Sequence, residues 1–102
     1  MSEDLKKEVV RRIVEAGRPV KIILFGSYAH GREESSSDLD LLIVKADFTS
    51  KLQEAMKIRN ALKGVRVAKD ILVVNKEEYD FYKNEACSVI KEAHDHGVVL
   101  YG

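Results

Sequence analysis

The sequence contains few of the residues that mark several protein classes. Its 102 residues include one cysteine, one proline and no tryptophan, and 17 lysines and arginines balance 17 aspartates and glutamates. The lone cysteine, Cys87, excludes an internal disulfide and is typical of a reducing compartment. Because the formal net charge is zero, no overall field draws the protein to nucleic acid or to an anionic membrane. Direct nucleic-acid binding is therefore not expected.

Long apolar runs are also missing from the sequence. No stretch approaches the roughly 20 residues that a membrane-spanning helix needs, and the polar start at 1–4 does not resemble a secretion signal. We therefore expect a cytoplasmic protein with no membrane partner. Hydrophobic residues make up 45% of the chain, a normal fraction for a globular protein. Residues 1–102 are predicted to form a single domain.

Strand-like and helix-like segments alternate along the chain. Short apolar runs predict four strands, at residues 20–25, 39–44, 65–74 and 98–101. Most of the intervening segments have helical periodicity, except for a sharp turn at 26–31 and a polar loop at 33–37. This order predicts an α/β (α+β) fold, in which a small mixed sheet of three to four strands has helices packed mainly on one face.

Caps and apolar stripes predict three helices. Residues able to cap a helix N-terminus precede each of them: Ser2, Thr49 or Ser50, and Asn75 with Glu78. The stripe of the second helix includes Leu52, Met56 and Leu62. The third helix is predicted to be long, with a stripe formed by Tyr79, Tyr82, Ala86, Val89, Ile90 and Ala93. Cys87 falls within it, and we expect this thiol to be packed and inert.

Two aspartates stand at the start of the second predicted strand. Residues two apart on a strand point the same way, so Asp38 and Asp40 project to one side, where Leu42 and Val44 follow them. A strand that changes from acidic to apolar has its acidic end at a cleft and its remainder in the core. Two such carboxylates repel each other, and a Mg2+ ion, which prefers oxygen ligands, would relieve that repulsion.

Asp70 repeats this pattern on the third predicted strand, where it stands among apolar residues. If that strand lies beside the second, Asp70 completes a site of three carboxylates. Each acid also has a common structural explanation. Asp-x-Asp is frequent in turns, and Asp70 could simply pair with Lys69 or Arg66.

A glycine and a serine, Gly26 and Ser27, directly follow the first predicted strand. Glycine lets a ligand approach the backbone closely, and a hydroxyl with N–H groups at a helix start suits a phosphate. A Gly-Ser pair alone is weak evidence. The order of strand, Gly-Ser turn, polar loop, acidic pair and strand is more specific, because it places a phosphate cradle beside a metal site.

Segments 26–32 and 37–41 read Gly-Ser-Tyr-Ala-His-Gly-Arg and Ser-Asp-Leu-Asp-Leu. They resemble the polymerase-β-like nucleotidyltransferase superfamily, and most of all its minimal nucleotidyltransferase branch. The resemblance covers nearly all of the chain, including Asp70 and the C-terminal segment 97–101. It differs at His30, where family members often carry arginine, and at Glu34, where they often carry another basic residue, so that Arg32 is the only cation in the turn.

This resemblance implies a set of site residues and cofactors. The catalytic and metal-binding residues would be Asp38, Asp40 and Asp70, and the nucleotide-binding residues would be Gly26, Ser27 and Arg32. Two Mg2+ ions are the expected cofactors, and ATP is the expected nucleotide donor. A hydroxyl would attack the α-phosphate in line and release pyrophosphate, with Asp70 as a metal ligand and candidate base.

The resemblance also implies a partner. Minimal domains of this branch are typically encoded with a helical HEPN protein, in a pair that resembles a toxin–antitoxin system. The chain would then be an antitoxin that transfers AMP to a tyrosine of the toxin. Because it has no room for an acceptor-binding domain, a partner protein or a second subunit of a homo-oligomer is expected to complete the site. Two alternatives stay open: a non-catalytic binding module, and an enzyme acting on a small molecule such as an aminoglycoside.

The expected contact surface for such a partner comprises Tyr79, Phe81, Tyr82 and the C-terminal segment 98–101. Phe81 and Tyr82 cannot both share one narrow helical stripe with Tyr79, so we expect at least one aromatic to leave the core. The pair His94 and His96 is not expected to bind metal. Residues two apart on a helix do not face each other, and histidine is favourable near a helix C-terminus.

Overall fold

The computed structural model describes residues 2–26 and 38–102. These residues form four helices and four strands. In chain order they are α1 (Glu3–Gly17), β1 (Lys21–Phe25), β2 (Leu39–Lys45), α2 (Lys51–Ala61), β3 (Lys69–Asn75), α3 (Lys76–Tyr82), α4 (Val89–His96) and β4 (Val98–Tyr101).

The four strands form one mixed sheet in the order β3-β2-β1-β4. β1 runs antiparallel to both β2 and β4, whereas β2 and β3 are parallel. The predicted mixed sheet of three to four strands is confirmed, and β4 lies at an edge as expected. β3 begins later than predicted, at Lys69, and the ammonium of that residue donates hydrogen bonds to the carbonyls of Val65 and Val67 in the preceding segment.

Helices cover both faces of this sheet. The two longer helices, α1 and α2, pack on one face through Val9, Ile13, Ile58 and Leu62. The two shorter helices, α3 and α4, cover the other face through Tyr79, Ile90 and Ala93. Most of the helical residues therefore lie on one face, as expected, and the shorter pair of helices covers the other face. β2 is buried on both sides because each of its faces meets one of these helix layers.

Helix caps follow the sequence prediction closely. The Ser2 hydroxyl accepts from the backbone N–H of Leu5 at the start of α1, and Ser50 accepts from Gln53 at the start of α2. Asn75 and Glu78 form a reciprocal capping box at the start of α3. Each cap satisfies N–H groups that have no partner within the helix, which explains why these boundaries could be read from the sequence.

The apolar stripe predicted for α2 is wrong in part. Leu52 and Met56 are exposed, and the helix instead packs through Ile58 and, just past its last turn, Leu62. Apolar residues lie on two sides of this helix, and the side that carries Ile58 is buried because it faces α1. Gly17 at the end of α1 leaves room for Ile58, whose side chain lies 3.4 Å from where a β-carbon on residue 17 would stand.

The single long helix predicted after residue 75 is also wrong. α3 ends at Tyr82 and α4 begins at Val89, so two short helices replace it. Cys87 has a left-handed backbone (φ 66°), which a helix cannot contain. The Ser88 hydroxyl caps α4 by accepting from the backbone N–H of Lys91, and it also donates to the Tyr82 carbonyl. Local hydrogen bonds therefore break the periodicity that predicted one helix.

Cys87 consequently lies exposed in the connection between these helices rather than packed in the core. We expect its thiol to react with a disulfide reagent in the folded protein at a rate within about tenfold of the unfolded chain, because access controls thiol reactivity. The absorbance of the released thiolate, followed with and without denaturant, measures both rates. Labelling that requires denaturant would instead support the packed thiol expected from the sequence.

Candidate active site

Three acidic residues lie at one end of the sheet, where β1 ends and where β2 and β3 begin. Asp40 of β2 is in register with Asp70 of the parallel strand β3 and with Phe25 of β1. Neighbouring strands lie about 4.8 Å apart, and side chains in register point to the same face. The side chains of Asp40 and Asp70 therefore project together, and Asp38 stands two residues before Asp40.

These acids share the face of the sheet that α3 and α4 cover. Asp40 continues along β2 into the buried residues Leu42 and Val44, and Asp70 continues along β3 into the partly buried Leu72 and the buried Val74. The change from acid to apolar side chains is thus present on two adjacent strands. It confirms the predicted strand geometry, because the apolar portion packs beneath the helices and leaves the acids at the end of the sheet.

The electrostatics of the cluster centre on Asp40. Its side chain is half-buried, whereas Asp38 and Asp70 are exposed. Burial raises the pKa of the Asp40 carboxyl, and the negative charges of Asp70 and then Asp38 raise this pKa further. Ionising all three acids is therefore unfavourable unless positive charge is nearby.

Gly26 brings the backbone directly against this cluster. It follows β1 with a left-handed backbone (φ 75°), and a β-carbon added to it would stand 2.2 Å from Oδ2 of Asp40. No side chain fits at this position while Asp40 keeps its place. The predicted nucleotide-binding residues Ser27 and Arg32 lie outside the described residues, as do the turn and loop between 27 and 37.

The donor set of the cluster suits Mg2+, which takes oxygen ligands and usually keeps waters and phosphate oxygens beside one or two carboxylates. Within residues 2–26 and 38–102, no group of three acidic, histidine or cysteine side chains is close enough to hold one ion by itself. Any ion at this site would therefore need oxygens from a phosphate or water in addition to the carboxylates. Asp38, Asp40 and Asp70 remain predictions as metal ligands.

Metal binding should be visible in thermal stability. A cation that binds only the folded state stabilises it, so Mg2+ or Mn2+ should raise the Tm of the wild type. The shift should shrink in Asp38→Asn and in Asp40→Asn. Equal metal shifts in the wild type and in the double variant, followed by thermal melts, would argue against the site.

Thermal melts in the presence of a chelator test a second prediction, which concerns the effect of the Asp40 charge on stability. The pKa of Asp40 is raised in the folded protein, so ionising this carboxyl opposes folding and stability falls as the pH rises through the raised pKa. Asp40→Asn should then raise the Tm at neutral pH. In acid, where Asp40 is protonated in both states, the gain should vanish.

His94 and His96 lie in the last turn of α4, as expected for residues that favour a helix C-terminus. Nδ1 of His94 is 2.7 Å from the hydroxyl of the buried Tyr79, so this histidine has a protein partner. Desolvation is the main cause of the raised pKa of Tyr79. The pair joins α3 to α4 over the apolar face.

Comparison with known proteins places the chain in a family. Residues 4–100 match the nucleotidyltransferase domain. The chain belongs to the nucleotidyltransferase domain family. No protein of curated function matches it. Within the described residues, no helix is both long and apolar enough to cross a membrane.

Solved structures similar to this nucleotidyltransferase domain share its fold. A candidate nucleotidyltransferase of Sulfolobus solfataricus is 20% identical, with a TM-score of 0.61, over 94% of this chain and 76% of that one. A toxin–antitoxin structure with AMP-PNP is 22% identical, with a TM-score of 0.61, over 95% and 73% of the two chains. A tri-AMPylated HEPN toxin of Shewanella oneidensis in complex with MNT antitoxin gives 19% identity and a TM-score of 0.56, over 100% and 73%.

Proposed function

We propose that this domain is a Mg2+-dependent nucleotidyltransferase that transfers AMP from ATP to a tyrosine hydroxyl of a helical HEPN-type partner, as the antitoxin of a toxin–antitoxin pair. The observation that carries the proposal is the register of Asp40 with Asp70, beside Asp38 and the backbone of Gly26. Family membership supports nucleotidyl transfer in general, and two similar structures, one with AMP-PNP and one with an AMPylated HEPN toxin, motivate the nucleotide and the partner.

In this proposal Asp38, Asp40 and Asp70 would together hold two Mg2+ ions, which when bound neutralise charge on the phosphates and on the reacting oxygens. Asp70 is the more exposed of the two in-register acids, so its carboxylate is the better placed to accept the proton of an incoming hydroxyl. The hydroxyl oxygen forms a bond to the α-phosphorus of ATP, and the bond from that phosphorus to its bridging oxygen breaks. Pyrophosphate leaves, and AMP stays on the acceptor.

Gly26 has a positioning role in this reaction. Because it has no side chain, the Asp40 carboxylate can lie against the turn that follows β1. A triphosphate bound along that turn would then meet the acids directly. Ser27 and Arg32 remain the proposed contacts to its phosphates, on the strength of the sequence alone.

An exposed aromatic surface supports a protein acceptor. Phe81 and Tyr82, at the end of α3, are 61% and 43% exposed, and their ring centroids lie 4.8 Å apart in an edge-to-face arrangement. α3 covers the same face of the sheet to which Asp40 and Asp70 project. Exposed aromatic side chains are typical interface anchors, so a partner seated here would lie on the side of the acids.

Two other functions remain as alternatives to be tested. A non-catalytic binding module of this fold could neutralise its partner by covering it, but such a module gains nothing from mutually repelling acids. The raised pKa of Asp40 is a cost that metal binding would offset. Transfer to a small molecule would use the same acids without needing the aromatic surface.

The deciding experiment incubates the protein with labelled ATP and Mg2+, with and without the product of the neighbouring gene as the candidate partner. Label on the partner supports the proposal. Label that appears only on an added aminoglycoside or another small hydroxyl compound supports transfer to a small molecule. Stable binding of the partner with no label, for every NTP tried, supports the binding module.

A further inference from the structure

A second group of charged side chains surrounds a cavity at the opposite end of the sheet from the aspartates. The cavity has a volume of about 370 Å³, and Arg18, Lys45 and Lys57 contribute to its lining. Asp40 and Lys45 are five residues apart on β2, which is about 17 Å along an extended strand. The cavity is therefore separate from the site that contains Asp38 and Asp70.

Lys45 is the buried cation of this group. It ends an otherwise apolar run on β2 and is only 8% exposed. Its Nζ donates to Oε2 of Glu54 at 2.6 Å, and the other oxygen of Glu54 accepts from Lys57 at 3.0 Å. Two ammonium groups thus share one carboxylate. An ammonium has three donors and Lys45 lines the cavity, so it can donate to a ligand there while keeping its bond to Glu54.

Arg18 supplies a third cation from the end of α1. Its backbone is left-handed (φ 47°, ψ 57°), a conformation that glycine adopts readily and other residues adopt at a cost of about 1 kcal/mol. Arginine occupies a position here that usually favours glycine. Asp47 is the acid in the lining. Counting Glu54 as well, three cations face two carboxylates, so the surroundings of the cavity keep one positive charge.

We propose that this cavity binds the phosphate group of a small anionic ligand. Charge-assisted hydrogen bonds from Lys45, Arg18 and Lys57 would hold the phosphate oxygens. The volume falls at the lower end of the range of small-molecule pockets, roughly 300–1,000 Å³, so a phosphorylated small molecule fits better than a larger cofactor. The proposal does not depend on nucleotidyl transfer, because none of these residues belongs to the acidic site.

The test is an NMR titration of the full chain with inorganic phosphate and then pyrophosphate, in chelator and at constant ionic strength. We expect saturable shifts of the amide resonances of Ala16 and Ala46, which line the cavity. Sodium chloride at the same ionic strength should not produce them. Shifts confined to Gly26 and its neighbours would place the phosphate at the acidic end of the sheet and overturn the proposal.

Two variants test which charges hold the ligand. Arg18→Gly removes a cation while suiting the left-handed backbone, and should weaken phosphate binding about fivefold without loss of folding. Lys57→Ala should have a similar effect. Its matched control is Lys91→Ala, since the two lysine side chains are 47% and 41% exposed and each pairs with an acid on its own helix.

Unchanged affinity in Arg18→Gly and in Lys57→Ala would overturn the proposal, as would an equal loss in the Lys91→Ala control. Transfer of AMP measured on the same variants should remain at the wild-type level. Loss of phosphate binding with transfer intact supports a second site. A failure of AMP transfer in the wild type would contradict the proposed enzyme function and leave the cavity's binding result unaffected.

Discussion

Replacing Asp40 with asparagine should lower nucleotidyl transfer by about 1,000-fold and leave the folded domain and its complex with the proposed partner intact. Asp40 stands between Asp38 and Asp70 in the cluster, and their charges raise its pKa. If Asp40 is a metal ligand as proposed, its loss costs roughly 4 kcal/mol of transition-state stabilisation, or about 1,000-fold in rate. Initial rates of label transfer to the partner measure this effect.

The control for this prediction is Asp95→Asn, which makes the same chemical change at an exposed acid of α4. Asp95 pairs with Lys91 on the helix surface, so its replacement should alter transfer less than about twofold, because surface ion pairs contribute little. Partner binding, followed by gel filtration or calorimetry, should be the same in both variants. Transfer that survives in Asp40→Asn would refute the assignment of the site. Loss of the complex in that variant would show that catalysis and binding are not separate.

Gly26→Ala should reduce transfer by about 100-fold and destabilise the domain. The new methyl group would stand 2.2 Å from Oδ2 of Asp40, so the carboxylate must move or the turn must shift. A displacement on the order of 1 Å at a reacting centre can cost about 100-fold in rate. The left-handed backbone of residue 26 adds about 1 kcal/mol of strain for any L side chain.

Gly64→Ala separates the strain from the contact. Gly64 has a left-handed backbone too (φ 93°), but the nearest atom to its added β-carbon is Nη1 of Arg12, at 4.0 Å. This variant should lose about 1 kcal/mol of stability and keep its transfer activity. The difference in unfolding free energy and in rate between the two variants measures the contact with Asp40. If both glycine variants lose activity equally, the close approach of Gly26 to Asp40 has no catalytic role.

A double-variant cycle measures the coupling between residue 26 and Asp40. Gly26→Ala combined with Asp40→Ala removes the carboxylate that the methyl group would strike, so the two stability losses should not add. Additive losses would mean that residue 26 acts on something other than Asp40. Denaturant unfolding of the four proteins gives the coupling energy.

Local chemistry in the sequence was enough to predict several features of the fold. The caps at Ser2, Ser50 and Asn75 are short-range hydrogen bonds, so each could be recognised from a few neighbouring residues. The acid-to-apolar change along β2 depends only on the alternation of side chains in a strand. Family resemblance predicted the nucleotidyltransferase domain, which the match over residues 4–100 confirms.

Periodicity alone predicted two other features wrongly, one because of local hydrogen bonds and one because of packing. The stripe from Tyr79 to Ala93 has the period of one helix, but the left-handed backbone of Cys87 and the cap at Ser88 divide it. Leu52 and Met56 have the period of a buried ridge, yet α1 meets the other side of α2. Periodicity shows that a helix has an apolar side, but only the neighbouring elements determine which side is covered.

The sequence alone determined which residues could carry the chemistry. Asp38 and Asp40 were predicted on one side of the second strand, Asp70 on the third strand, and Gly26 directly after the first. The tertiary structure decided that they meet. Asp40 and Asp70 are neighbours because β2 and β3 pair in parallel and in register. The sequence also gave no indication of the cavity lined by Arg18, Lys45 and Lys57. Its cations are far apart in sequence, and no local pattern links residues that only the packing of α1, β2 and α2 brings together.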